Sequence, residues 1–303
     1  MSIDYTILEK YQVRHTQKQK SEFIGLMQRE FPGLRVEKAG KLGSRNLIYG
    51  DIERAKVVFT AHYDTVITNL LPNLILPYRP VVRMLYMLLV IAPMVLVMLA
   101  VKYGMLALGA GDQLSSVCML VVYFIMFVGT FLVGIPNRHN ANDNTSGVLA
   151  LVELIGRLTA EELEKTAFVF FDNEEYGCVG SGAFYKQHKE MMQDKLVFNM
   201  DCVGDGDNLL FVLTEMADDR WGKAIRAAFT ETDDYKVGYA DAKKVKYSSD
   251  QKHFPVSAAL AALHRHKLLK LWVGRIHTGR DTVCSMENIK YICSSACRFI
   301  ESI

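Results

Sequence analysis

Phe168-Val169-Phe170-Phe171-Asp172-Asn173-Glu174-Glu175 is an apolar strand running straight into two adjacent carboxylates. Neighbouring residues on an extended strand point to opposite sides. Glu174 and Glu175 therefore serve two different targets only where the backbone turns, and Tyr176-Gly177 follows at once with a glycine that allows a turn. Working outward, His62-Tyr63-Asp64 and Asn142-Asp143-Asn144 lie upstream, and Asp201 and His277 lie downstream. Each follows or ends a short apolar run, so strand ends can gather them into one cleft.

Those residue types suit two metal ions. Zinc takes imidazole nitrogen and carboxylate oxygen, and a catalytic site leaves a position open for water. Two ions roughly 3.5–4 Å apart hold a water between them and lower its pKa. A shared carboxylate must bridge them, and each needs further ligands of its own. His62, Asp143, Glu175, Asp201 and His277 supply that number. Glu174 is then free to act as general base.

Five blocks carry a resemblance. Ala61-His62-Tyr63-Asp64-Thr65-Val66, Asn142-Asp143-Asn144-Thr145-Ser146-Gly147, Phe171-Asp172-Asn173-Glu174-Glu175-Tyr176-Gly177 with Gly180-Ser181, Asn199-Met200-Asp201 with Gly204, and Ile276-His277-Thr278-Gly279-Arg280-Asp281-Thr282 stand in this order. Together they resemble the ligand blocks of metallopeptidase family twenty-eight, the family of bacterial leucyl aminopeptidases and glutaminyl cyclases. The resemblance covers most of the chain apart from residues 79–135 and the first 40 or so. It implies one zinc on His62 and Asp201, a second on Glu175 and His277, and Asp143 as the bridge. It also implies Glu174 as general base and Asp64 as the residue orienting His62. Ser249-Asp250 resembles a Ser-Asp-His stretch that supports the cleft, but Gln251 stands in the third place. Tyr247 lies one residue off the position where some members keep a carbonyl-polarising tyrosine. The function implied is a zinc exopeptidase acting on peptides, most simply an aminopeptidase. Carboxypeptidase, glutaminyl cyclase and a non-catalytic scaffold of the same fold are the alternatives. Cyclases of the family use one zinc and scaffolds lose ligands or the base, whereas this chain keeps all of them.

Taken singly, each residue has a plainer reading. His62 alone is an ordinary half-buried histidine, Asp143 the N-cap of a helix from Ser146, and Glu174-Glu175 a solvated strand end. His15, His139, His188, His253, His264 and His266 lie outside the blocks and are read as surface or packing residues.

The other large feature is apolar. Val81–Val101 and Leu114–Ile135 each run for about 20 residues almost without charge, long enough to cross a bilayer. A pair of buried core helices would normally keep a polar stripe, and Arg83 at one edge is all that interrupts these. The expectation is a two-span hairpin, residues 79–135, inserted into a catalytic domain made of residues 1–78 and 136–303. Arg79, Arg83 and Arg138 flank its base, against Lys102 and Asp112 at its turn, which puts the catalytic side in the cytoplasm. Met1-Ser2-Ile3-Asp4-Tyr5 shows no signal-peptide pattern, and six cysteines without regular spacing make no disulfide framework.

The 303 residues carry a net charge of +2 and are 50% hydrophobic. No basic stripe interleaved with aromatics points to nucleic acid. Strands near 34–39, 46–49, 57–61, 167–171, 196–200, 209–213 and 269–273 alternate with helices up to Glu30 and from Ser146, Ser181, Asp218 and Met286. The alternation reads as an α/β sandwich. The resemblance sharpens it to three layers, α/β/α, around a mixed, mostly parallel sheet.

Overall fold

Three apolar runs form the centre of the molecule. In the computed structural model, which describes residues 3–40, 43–69, 71–131 and 134–303, they are β3 (Val57–His62), β4 (Thr166–Phe171) and β5 (Leu196–Met200), all fully buried. Met1 and Ser2, and residues 132–133 of the second apolar run, lie outside the described residues. β3 pairs in parallel with both β4 and β5. The registers His62↔Phe171 and Thr60↔Asn199 bring the three carboxyl ends level.

β1 (Arg35–Lys38) and β2 (Arg45–Gly50) extend the sheet antiparallel beyond β4. On the other side come β6 (Asn208–Leu213), β7 (Lys236–Asp241), β8 (Ser257–His266) and the short β9 (Lys270–Trp272). The spatial order is β1-β2-β4-β3-β5-β8-β6-β7, with β9 against β8. β7 and β8 are additions to the sequence expectation. β8 begins Ser-Ala-Ala-Leu-Ala-Ala-Leu, an alanine-rich composition that favours helix. Its burial between parallel β5 and antiparallel β6 overrides that preference. β7 is a partly exposed edge strand without a continuous apolar run.

Alternation divides the strands between two faces, and their buried side chains form three clusters, the third around Leu210, Val212 and Ala261. Val57, Phe59, Phe168 and Phe198 face a core shared with α1 (Ile3–Lys10), α2 (Gln17–Glu30), α5 (Gly147–Arg157), α8 (Glu215–Ala228) and α9 (Met286–Glu301). Val58, Val169 and Val197 face a second core under α7 (Val179–Gln187) through Phe184 and Phe254. A short capped helix, α6 (Ala160–Lys165), leads into β4. The result is the three-layer mixed sandwich.

Between β3 and α5 stand α3 (Pro80–Ala107) and α4 (Asp112–Phe131). The most apolar 18 residues of each have mean hydropathies of 2.7 and 1.7, and only 6% of each of those stretches is buried. At 1.5 Å per residue the helices are about 42 and 30 Å long, enough to cross a hydrocarbon core of about 30 Å. They pack on each other and leave Leu85, Leu89, Leu96, Phe124 and Ile125 exposed. The buried-core reading of these two helices is therefore excluded, because little of either is buried.

Both arms of the insert are tied to one loop. Asn69 N–H donates to the His277 carbonyl (2.8 Å), and Ile75 and Val273 exchange backbone hydrogen bonds. On the returning arm, Asn137 Nδ2 donates to the Thr278 carbonyl (3.0 Å). The helical pair thus rises beside the carboxyl edge of the sheet.

Candidate metal centre and active site

The level ends of β3, β4 and β5 deliver the sequence-selected side chains to one cleft, as open α/β sheets do at their carboxyl edges. His62 is the last residue of β3, Glu174 and Glu175 follow β4, and Asp201 follows β5. Asp143 and His277 arrive on loops, and hydrogen bonds fix both loops. Asn144 Oδ1 accepts Cys202 N–H (3.2 Å), Ser146 Oγ accepts Val203 N–H (3.0 Å) and Asn142 Oδ1 accepts Gly204 N–H (2.8 Å). This zips the 142–146 loop onto the chain after Asp201. Asp281 accepts the N–H groups of both Asn142 (2.9 Å) and Asp143 (3.0 Å), docking the His277 loop there.

Asp143 faces two ways. One carboxylate oxygen lies 3.3 Å from His62 Nε2, and the other lies 3.0 Å from His277 Nε2. His62 Nε2 is 3.7 Å from Asp201, and His277 Nε2 is 3.2 Å from Glu175. Ligand atoms held roughly 2.0–2.1 Å from a tetrahedral zinc sit about 3.3 Å from one another, and these separations bracket that value. His62, Asp143 and Asp201 form one set and Asp143, Glu175 and His277 another, each with all ligand atoms within 4.8 Å. Glu175 Oε1 is buried without a hydrogen-bond partner, the condition of an atom kept for a cation. Borderline-soft zinc suits this mixture of imidazole and carboxylate donors.

Asp64 meets both His62 and the Glu pair. The Asp64 backbone carbonyl sits 3.2 Å from His62 Nδ1, while its carboxylate is 3.6 Å away. A carbonyl only accepts, so Nδ1 carries the proton and Nε2 is left for the ion. The carboxylate instead accepts the N–H groups of Glu174 (2.9 Å) and Glu175 (3.2 Å), aiming the pair. The turn that separates them also begins earlier than Tyr176-Gly177: Asn173 takes the left-handed conformation, φ 57°.

The N-cap reading of Asp143 does not hold. Asn144 Oδ1 accepts Gly147 N–H at 3.1 Å at the start of α5, leaving the Asp143 carboxylate in the cleft. Tyr247 lines the cleft but donates its hydroxyl proton to the Asp201 carbonyl (2.9 Å). Gln251 ties its loop to β5 by accepting from Asn199 Nδ2 (3.1 Å). Asp250 is buried, and burial, opposed by His62, pushes its carboxyl up to about 7. None of the six other histidines joins either ligand set.

Charge is concentrated here. Burial raises the Glu174 carboxyl well above its usual range against the opposing pull of His62, and Cys178 Sγ lies 3.2 Å from Glu174 Oε1. Burial would also raise Asp143, but His277 and His62 hold it well below the carboxylate range.

Sequence reasoning missed the supports behind the cleft. Buried Lys20 on α2 donates to Asp172 (2.5 Å) and Asn173 (2.6 Å), and buried Arg14 donates to Thr145 (3.1 Å) and to the Tyr63 carbonyl. Nothing near Arg14 or Lys20 in sequence marks them. Asn142, Asn144 and Asp281 were inside the motif blocks, where a polar cluster in an apolar chain was their signal.

Residues 129–291, more than half of the chain, match the profile of peptidase family M28. No curated protein matches the chain in sequence. Among solved structures it is similar to the LapA aminopeptidase of Legionella pneumophila, at 16% identity and TM-score 0.56, over 98% of this chain and 69% of that one. It is also similar to the glutaminyl cyclase of Porphyromonas gingivalis, at 17% identity and TM-score 0.56, over 99% and 96%. At such identities these likenesses speak for the fold. The matched segment itself carries Asp143, Glu174, Glu175, Asp201 and His277, so sequence and geometry agree: the chain belongs to peptidase family M28 and is a zinc metallopeptidase.

Proposed function

We propose that the protein is a membrane-anchored di-zinc exopeptidase, most simply an aminopeptidase, with its catalytic domain on the cytoplasmic side. In this reading residues 1–78 and 136–303 are the catalytic domain and 79–135 its transmembrane hairpin. The observation that carries the peptidase part is the two-way presentation of Asp143, whose oxygens face His62 and His277 separately. His62 and Asp201 would hold one ion and Glu175 and His277 the other, with Asp143 shared between the two sets.

Bound zinc lowers the pKa of a water and polarises the peptide carbonyl. The chain's own residues do the rest. Glu174 lies beside both ligand sets and is the one carboxylate of the pair outside them. It accepts the proton of the attacking water and returns it to the leaving amine. Asp64 keeps His62 in the correct tautomer and holds the backbone from which Glu174 and Glu175 project.

Membrane anchoring is supported by the length, apolar composition and exposure of α3 and α4. The side is argued from charge. Arg79, Arg83 and Arg138 stand at the base, whereas toward the far end Lys102, inside α3, is paired with Asp112 at 3.2 Å.

The test is zinc content together with turnover of free and N-blocked peptides by detergent-purified wild type and Glu174→Gln. Two zincs per chain and hydrolysis of free N-termini are expected. The variant should keep its zinc and lose about 10²–10⁴-fold in kcat. Cyclisation of N-terminal glutamine without hydrolysis would move the reading to a cyclase. Zinc loading without any turnover would sink it.

A further inference from the structure

Two cations from outside the ligand sets, Arg83 and Lys246, line the same cleft as Asp143, Glu174 and His277. Arg83 belongs to the first turn of α3, so a residue of the insert lines the candidate cleft. Its position is built. Arg79, one turn earlier, donates from Nε to the Leu268 carbonyl (3.1 Å), and Arg83 N–H donates to the Arg79 carbonyl (3.0 Å). Lys246 N–H donates to the Pro77 carbonyl (3.0 Å), bringing the two cation-bearing segments together. The Arg83 guanidinium is half-buried and has no hydrogen-bond or ion-pair partner among the described residues.

The charge of the cleft gives these cations a purpose. Asp143, Glu174, Glu175 and Asp201 supply four negative charges, and two divalent ions offset them. Within the cavity lining itself Arg83 and Lys246 then have no further carboxylate to neutralise. The cavity among these residues is about 70 Å³, well below the roughly 300 Å³ or more of a typical ligand pocket, so the substrate beyond its scissile bond lies at the mouth. A planar guanidinium there matches a carboxylate with two parallel hydrogen bonds.

We propose that Arg83, assisted by Lys246, binds a carboxylate of the peptide substrate. The source is the free C-terminus of a short peptide or an acidic side chain next to the scissile bond. The proposal rests on the peptidase reading of this cleft and adds the substrate class. It makes the hairpin part of the specificity apparatus as well as an anchor.

The experiment compares kcat/KM of the zinc-loaded full chain on Ala-Leu, Ala-Leu-amide and Ala-Glu-amide. Wild type should favour at least one carboxylate-bearing peptide over Ala-Leu-amide by about ten- to a hundredfold, the range of a hydrogen-bonded charge. Preference for Ala-Leu names the C-terminus as the source, and preference for Ala-Glu-amide names the side chain. R83Q should reduce that ratio at least tenfold, R83K should retain part of it, and K246Q should reduce it less. Equal rates on all three wild-type substrates overturn the proposal without mutagenesis and leave the peptidase reading standing. A preference that survives R83Q also overturns it. Zinc-loaded enzyme that turns over none of the peptides overturns the peptidase reading itself.

Discussion

At the scale of single residues, the site stores negative charge that only cations relieve. In the metal-free cleft, burial would lower the His62 and His277 imidazoles, but the surrounding carboxylates outweigh it and hold both well above 6.5. For His62 those are chiefly Asp143 and Asp201, and for His277 they are Glu175 and Asp143. Without metal both rings are therefore biased toward the protonated form, while zinc takes the neutral ring. The sign follows: zinc binding at pH 7 releases protons, and affinity falls as pH is lowered. Titration calorimetry in two buffers of different ionisation heat measures this, and a heat independent of buffer would remove His62 and His277 from the ligand set. The ligands and base could be picked out of the sequence because chemistry restricts them to His, Asp and Glu at strand ends. Arg14 and Lys20 could not, since their partners lie 131 and 152 positions away.

At the scale of elements, the hairpin divides into two parts with different duties. Its arms hydrogen-bond to the 276–278 loop that carries a candidate ligand, while the bodies of α3 and α4 pack on each other and bury few of their residues. Replacing residues 84–131 with a short Gly/Ser loop keeps Arg83 and both arms. The shortened protein should leave the membrane fraction, bind two zincs and still turn over soluble dipeptides. Sedimentation with membranes would remove the anchoring role. Comparing its rate on apolar membrane-bound peptides with that on dipeptides separates substrate delivery from tethering, because a plain tether affects both alike. β8 teaches the opposite lesson at this scale. Its alanines carry helix preference, and the strand exists because β5 and β6 satisfy its backbone on both edges.

At the scale of the whole molecule, the carboxyl edge of the sheet, the cleft and the base of the hairpin occupy one end. In a bilayer the cleft would open close to the membrane surface. Orientation is checked with single added cysteines, Ala110→Cys in the turn and Arg138→Cys at the base, against the background of the native thiols. An impermeant maleimide should label intact cells at the turn alone, and labelling at the base would reverse the topology. The sequence by itself determined the alternation of strands and helices, the five candidate ligands, the candidate base and the two apolar runs. Each of these is written locally, in hydrophobic period and in residue types with restricted chemistry. Only the tertiary structure decided that Asn144 rather than Asp143 accepts the Gly147 N–H at the start of α5, that Asp64 holds the Glu pair through its carboxylate, and that Arg83 lines the cleft. Those are contacts between segments far apart in the chain. Their formation depends on strand register and loop docking, and no local pattern of residues records either.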